Sequence, residues 1–499
     1  MTIKRLTAVA AVALLFIAAA IVIRLGLSPA QAKLGVPKLG AAKFQHVIVI
    51  VQENRTPDNL FQGLCGPPIS QVPRCSTKPA SGQYDIQTGN WLDKTSPGGT
   101  IQPGTIPLDN KYDLSHAHSG WVAQCDADSS GACLMDGGAG VTCGPPAHCA
   151  PHPQFKIVDN SNGILNPYLQ MAVQYGWANY MFQTNQGPSF PAHQFLFGGT
   201  SAPSAADDAK GIFASSNMIG KGIGGLSKIA GCTARAKTRV KLIDPSGQET
   251  GRAYPCFEHQ TMSDLFTSAV TWRFYSPKPG SIWTAPNSIK HICQSTGPGG
   301  KCVGPQWTQN VDFGPSDVLN DISACNLRSM NWVIPTGANS DHANVNDGGG
   351  PSWVASIVNA IGNSTKCDGG RGYWKNTAII ITWDDWGGWY DHVPPPILPQ
   401  PQGDYQYGFR VPLIVVSAYT PKNYVNNTHH DFGSILRFVQ RNFGIQEGKL
   451  SFADQRAKSD LRAFFNMNAP PRSFQTIGAP KNANYFIKDK RRASDPDDQ

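Results

Sequence analysis

Two short apolar runs dominate the hydrophobic pattern of the chain. One is Phe44 to Val51, reading FQHVIVIV, and the other is Ala378 to Ile381 within TAIIITW. Both are continuous and rich in β-branched residues, which predicts strands buried on both faces. Both also end alike, in side chains that carry oxygen. Glu53 and Asn54 follow the first run, and Asp384 and Asp385 follow the second. If the strands are neighbours in a parallel sheet, these four groups meet at its carboxyl edge, where open α/β sheets place their ligands. Adjacent carboxylates repel each other unless a cation or a shared proton relieves them. The competing reading of Glu53 to Asp58 is a charged loop closed by an Arg55–Asp58 pair. Gly387 and Gly388 then allow a tight turn, Asp391-His392 follows, and Pro394 to Pro396 end the segment.

Around these two runs the pattern alternates. Asn166 to Tyr180 has helical spacing, Thr261 to Tyr275 reads as a helix and then a strand, and Asp317 to Ser329 reads as a helix. Pro351 to Ile361 is a helix leading into the central strand, a βα alternation. Val411 to Ser417 is a third buried strand, and His429-His430-Asp431 opens a helix over Ser434 to Phe443. Between these elements lie long excursions: Gly63 to Lys111, the Cys- and Gly-rich Cys125 to Pro153, and Gly280 to Lys301. The expected fold class is α/β, with a mostly parallel central sheet flanked by helices and long loops. Ser189 stands before a proline-led apolar stretch. That is the signature of a helix cap, and equally of a nucleophile at a helix N-terminus, where free amides and the dipole favour anions.

Composition narrows the class. Charged residues are 15% of 499, and Gly 51 with Pro 39 fit a globular chain with many loops. The net charge of +8 is dispersed; its densest stretch, Arg235 to Lys241, has no nucleic-acid module around it, so no nucleic-acid partner is expected. Lys4-Arg5, the apolar run Leu6 to Ile23 and Ala30-Gln31-Ala32 form a secretory leader with cleavage after Ala32, or else an uncleaved membrane anchor. Export fits the twelve cysteines, an even number. Sequence proximity pairs Cys65 with Cys75, Cys232 with Cys256, Cys293 with Cys302 and Cys325 with Cys367. Cys125, Cys133, Cys143 and Cys149 are left to pair among themselves. Lys488 to Gln499 is charged and reads as a disordered tail.

Several motifs together resemble, in order, those of one family: the bacterial phosphoesterases that include phosphatidylcholine-type phospholipases C and a secreted acid phosphatase. ENRTPD at Glu53 resembles ENRSFD, and DLSH at Asp113 resembles a short Asp-x-x-His motif. SFPAH at Ser189 sits where the family has Thr-x-Pro-Asn-Arg. NSDHANV at Asn339 resembles NDDHPSH, TWDDWGGWYDHVPPP resembles DExGGxxDHVxxP, and FRVPLIVVSAYT resembles GxRVPxxxxSP. The resemblance covers roughly residues 44 to 446. It implies an alkaline-phosphatase-like sandwich and hydrolysis of phosphate esters, with residues 33–446 as the catalytic domain and 447–499 as a C-terminal extension.

Position by position, the resemblance implies that Glu53, Asn54, Asp384 and Asp385 surround a divalent metal (Ca²⁺, Mg²⁺, Mn²⁺ or Zn²⁺) or a phosphate, with a metal-free site left open. It puts Ser189 at the nucleophile position, and His116 and His342 where phosphoryl oxygens are held or protons moved. His291, His392 and Asp341 are expected to bind phosphate or to support the site from behind. Three positions depart from the motifs. Ser189 stands for Thr, Ala192-His193 for Asn-Arg, and Asp385 for Glu; the first and last are as in the acid phosphatase branch. The expected activity is that of an exported phospholipase C, with an acid phosphatase as the alternative and a non-catalytic binding protein as a distant one. The expected partner is a phospholipid or a small phosphate ester. Trp386, Trp389 and the surroundings of Trp121 are candidates for contact with a membrane surface.

Overall fold

A computed structural model describes residues 44–69, 74–219, 229–314, 316–397 and 406–493. The expected leader or anchor, and the tail beyond residue 493, lie outside them. Eight strands form the main sheet: β1 (His46–Gln52), β2 (Gly176–Ala178), β3 (Trp272–Tyr275), β4 (Val311–Asp312), β5 (Met330–Val333), β6 (Thr377–Trp383), β7 (Leu413–Ser417) and β8 (Tyr424–Asn426). Their order is β4-β3-β5-β1-β6-β7-β2-β8. Every pairing is parallel except the two made by β7. The two apolar runs of the sequence are therefore β1 and β6, adjacent and parallel at the centre, with every residue of both buried. Each Val or Ile wholly withdrawn from water contributes roughly 1.5–3 kcal/mol before entropic costs, so this pair anchors the sheet.

Five helices matter for the site: α1 (His118–Cys125), α2 (Asn166–Gln174), α3 (Ser189–Gly198), α4 (Gly350–Gly362) and α5 (Phe432–Asn442). The strand register separates the last four of them into two layers. Val49 pairs with both Trp332 and Ile380, so those side chains share a face, and Trp383, three residues beyond Ile380, points to the other. The Phe197 ring of α3 meets Trp332 at 5.1 Å, and Tyr168 of α2 meets Trp383 at 5.1 Å. α5 packs on α3, and α4 packs on α2. The Asp431 side chain caps α5 by accepting from Ser434 N at 3.2 Å.

Three expected helices are corrected. That expected from Asp317 to Ser329 ends at Ser323. The pattern from Asn166 to Tyr180 is helical only to Gln174, because the backbone leaves the helical region at Tyr175 and residues 176–178 pair with β7 and β8. In Thr261 to Tyr275 the expected strand is β3. The helix before it is only a 3-10 turn, Met262–Leu265, closed by a capping box between Thr261 and Asp264. The expected loop from Gly280 to Lys301 carries a 3-10 turn and the short helix Lys290–Cys293. The expected disulfides are present: Cys65–Cys75, Cys232–Cys256, Cys293–Cys302 and Cys325–Cys367. The remaining four cysteines pair as Cys125–Cys133 and Cys143–Cys149. No helix among the described residues is long and apolar enough to cross a membrane.

Candidate active site

Gln52 is level with Trp383 in the register, so Glu53-Asn54 and Asp384-Asp385 leave the sheet side by side at its carboxyl edge. All four are fully buried. Asn54 adopts a left-handed conformation (φ 60°), which Asn tolerates better than most residues. That turn brings its backbone N–H to Asp384 Oδ1 at 3.3 Å. The N–H of Gly387 donates to Asp385 Oδ1 at 2.7 Å, which leaves Oδ2 of that carboxylate facing Ser189.

Ser189 is the first residue of α3, and Pro188 is the cap. The Ser189 hydroxyl does not cap the helix. Its Oγ lies 3.2 Å from Asp385 Oδ2 and 3.4 Å from Glu53 Oε2. A hydroxyl has one proton to give, so it donates to one carboxylate at a time. Three carboxylates and a hydroxyl at the start of a helix thus converge where the sheet ends.

Asn54 links this cluster to two histidines. One end of its amide lies 3.2 Å from Glu53 Oε2 and 2.9 Å from Asp384 Oδ1, and the other lies 3.2 and 3.1 Å from Nε2 of His116 and His342. Nδ1 of His116 faces the Leu114 carbonyl at 2.8 Å, and Nδ1 of His342 faces that of Ala343 at 2.7 Å. A carbonyl cannot donate, so each Nδ1 carries a proton. In neutral rings both Nε2 atoms are then acceptors, and the amide NH₂ serves both. In that orientation the amide oxygen lies against Glu53 and Asp384, an all-oxygen cluster that a cation would satisfy; without a cation the reverse orientation pairs both ends of the amide. The reverse amide orientation bonds NH₂ to the carboxylates and requires both rings to be doubly protonated.

The electrostatics point the same way. Burial first, then Asp384 and Asp385, pushes the Glu53 carboxyl well above its usual range. Asp384 Oδ2 is buried with no hydrogen-bond partner. A site with surplus buried acceptors fits a divalent cation. His193, one turn after Ser189 on α3, approaches from the other side, with Nε2 2.9 Å from Glu53 Oε1 and 3.6 Å from Asp384 Oδ2. Burial lowers its pKa to about 4, which keeps the ring neutral.

The other expected site residues divide. His392 is not at the cluster. Its Nδ1 meets Asp58 Oδ2 at 2.7 Å and its Nε2 meets Asp85 Oδ1 at 2.9 Å. Asp391, beside it, is held by Arg410 at 2.8 and 2.9 Å. Because Asp58 follows Glu53 closely, this network clamps the loop after β1 to the loop after β6. Asp341 lies behind the site, its Oδ2 accepting from Tyr168 Oη at 2.9 Å and Trp383 Nε1 at 3.0 Å; burial raises its pKa to about 7. Arg55 does not pair with Asp58; its Nε donates to the Asp341 carbonyl at 2.9 Å. His291 is a correction. It pairs with Glu258 at 2.7 Å and Asp264 at 3.2 Å on the helix Lys290–Cys293, a partially exposed ion-pair cluster. Trp386 and Trp389 are fully buried, so neither is an exposed lipid contact. Two residues escaped the sequence reading. His193 was legible as the fourth residue after Ser189, hence on its helix face. Trp283, whose ring lies 6.5 Å from His193 and 6.0 Å from His342, had no local signal.

The sequence model of the Phosphoesterase family matches residues 159–446. A non-hemolytic phospholipase C of Burkholderia pseudomallei is 26% identical over 212 residues, 37% of this chain and 29% of that protein. Phospholipase C A of Mycobacterium tuberculosis is 26% identical over 180 residues, 32% of this chain and 33% of that protein. A hemolytic phospholipase C of Pseudomonas aeruginosa is 22% identical over 499 residues, 90% of this chain and 59% of that protein. The first two matches thus span about a third of those relatives' length. Among solved structures, a Vibrio parahaemolyticus protein of the alkaline phosphatase superfamily is similar at a TM-score of 0.30 and 12% identity, covering 56% of this chain and 61% of that one. That score is too low to support an argument about the site.

Proposed function

Because the chain belongs to the Phosphoesterase family, we propose that it hydrolyses phosphate esters through Ser189, in the manner of a phospholipase C that releases diacylglycerol and a phosphorylated head group. The observation that carries this reading is the contact of Ser189 Oγ with Asp385 and Glu53 at the start of α3. The serine proton passes to one of these carboxylates as Oγ attacks phosphorus in line. The P–O bond to the leaving alcohol breaks, and the alcohol takes its proton from Nε2 of His116 or His342 in the doubly protonated form that the reverse Asn54 orientation pairs with. Water then attacks the phosphoseryl group and its proton goes to the histidine, while the P–Oγ bond breaks and Ser189 takes its proton back from the carboxylate. Glu53, Asn54, Asp384 and Asp385 are the residues that would hold a divalent cation. When bound, it would polarise the serine hydroxyl and offset charge on the phosphoryl oxygens. The remaining buried groups position these side chains and exclude water.

Export belongs to the same reading, supported by six disulfides of the kind that persist in oxidising compartments. So does the domain division, with a leader or anchor over 1–32, a catalytic domain over 33–446 and an extension over 447–499. The test offers the protein phosphatidylcholine vesicles and, separately, p-nitrophenyl phosphate. Diacylglycerol release is expected. Hydrolysis of the monoester alone would place the activity with acid phosphatases, and hydrolysis of neither would overturn the enzymatic reading.

A further inference from the structure

The carboxylates of Glu53 and Asp384 each present two oxygens, and the two sides meet different company. Glu53 Oε2 and Asp384 Oδ1 face the Asn54 amide. Glu53 Oε1 and Asp384 Oδ2 face Nε2 of His193 at 2.9 and 3.6 Å. One ligand atom from each of Glu53, His193 and Asp384 lies within 4.8 Å of the other two, and all three residues are buried. Two features set this triad apart from an ordinary structural hydrogen bond. Asp384 Oδ2 has no hydrogen-bond partner although it is buried beside the ring. In addition, among the described residues no Lys or Arg lies within ion-pair distance of Glu53 or Asp384; His193 is their partner there.

The rigidity of α3 makes the placement specific. Ser189 and His193 are one turn apart in a helix buried along its whole length. The same element therefore sets the hydroxyl against Glu53 Oε2 and the imidazole against Glu53 Oε1. The Trp283 ring lies 6.5 Å from that of His193 and is tilted 28° from it.

We propose that His193 Nε2 is a metal ligand, which gives the carboxylate site a nitrogen donor and makes it select a borderline transition ion such as Zn²⁺ or Co²⁺ over Ca²⁺ and Mg²⁺. Oxygen-only sites suit the hard ions, whereas imidazole suits zinc and its neighbours. The inference rests on the reading of Glu53 and Asp384 as cation ligands.

The experiment uses Co²⁺ as the probe, because its visible spectrum reports the donor set. The full chain, stripped with chelator and dialysed, is titrated with Co²⁺ and in parallel with Ca²⁺, as wild type and as His193→Gln. Gln keeps an N–H donor at the position of Nε2, so a residue that only hydrogen-bonds Glu53 is conserved by the change. The expected result is a change of the Co²⁺ spectrum in His193→Gln, with Co²⁺ binding weakened on the order of tenfold or more and Ca²⁺ binding little changed. Pulsed electron paramagnetic resonance of the Mn²⁺-loaded wild type supplies a measurement independent of the variant's folding, since it reads directly coupled ¹⁴N. An unchanged Co²⁺ spectrum and affinity in the folded variant, or no ¹⁴N coupling in the wild type, overturns the role of His193 alone. Failure of the wild type to bind any divalent ion overturns the cation reading of Glu53 and Asp384 as well.

Discussion

At Gly387 an added Cβ would stand 2.3 Å from the carbonyl oxygen of Asn54. The loops after β1 and β6 touch backbone to backbone at this point, and Gly387 has φ +66° in addition. The contact allows the Gly387 N–H to reach Asp385 Oδ1 while Asp385 Oδ2 meets Ser189. Gly387→Ala must move one loop. The expected outcome is a loss of about 2 kcal/mol or more in stability, read from the denaturant midpoint, together with reduced turnover. A variant of wild-type stability and activity would show that the loop contact is slack.

The central half of this arrangement was legible in the sequence because it obeys a local rule. Continuous β-branched runs are buried central strands, and here their ends carry the oxygen-bearing side chains of the site. Hence Glu53, Asn54, Asp384 and Asp385 emerge side by side, as the alignment of β1 with β6 requires. Nearest-neighbour pairing found four of the six disulfides for a similar reason, since three of those four close loops of 24 residues or fewer; the pairing of Cys125, Cys133, Cys143 and Cys149 was left open. What failed was non-local. Gly176–Ala178 looks helical in isolation and becomes β2 only because β7 and β8 flank it. His291 sits in a loop of the right general kind, but its charge is taken up by Glu258 and Asp264. His193 could be placed on the helix face of Ser189 from its spacing, but the carboxylates it meets come from two other segments.

His392 should make stability depend on alkaline pH. Burial alone would lower its pKa from 6.5, but Asp58 and then Asp85 lift it to about 9. A group raised in this way stabilises fully below its unfolded value of about 6.5, and the contribution is lost as pH rises through about 9. The wild type should therefore lose stability between these limits, by on the order of 3 kcal/mol. His392→Gln should be less stable at pH 6 and nearly flat across the same range. Parallel slopes in chemical denaturation would remove His392 as the cause.

The proposed cation gives a prediction of its own. With Glu53, Asp384 and Asp385 buried together, stripping the site leaves repulsion that protonation must relieve. Exhaustive chelation should abolish ester hydrolysis and lower the melting temperature, and a divalent ion should restore both. Undiminished hydrolysis by metal-free protein, verified by elemental analysis, would mean that the carboxylates act without a cation.

The central claim is that Ser189 takes the phosphoryl group. Its most direct test is to quench the enzyme in acid during turnover and locate the phosphoryl group by peptide mass spectrometry, with Ser189→Ala as the control. The account predicts modification at Ser189 in the wild type, and a folded control that carries none and turns over slower by orders of magnitude. Modification at another residue, or a folded Ser189→Ala protein that turns over at the wild-type rate, would contradict it.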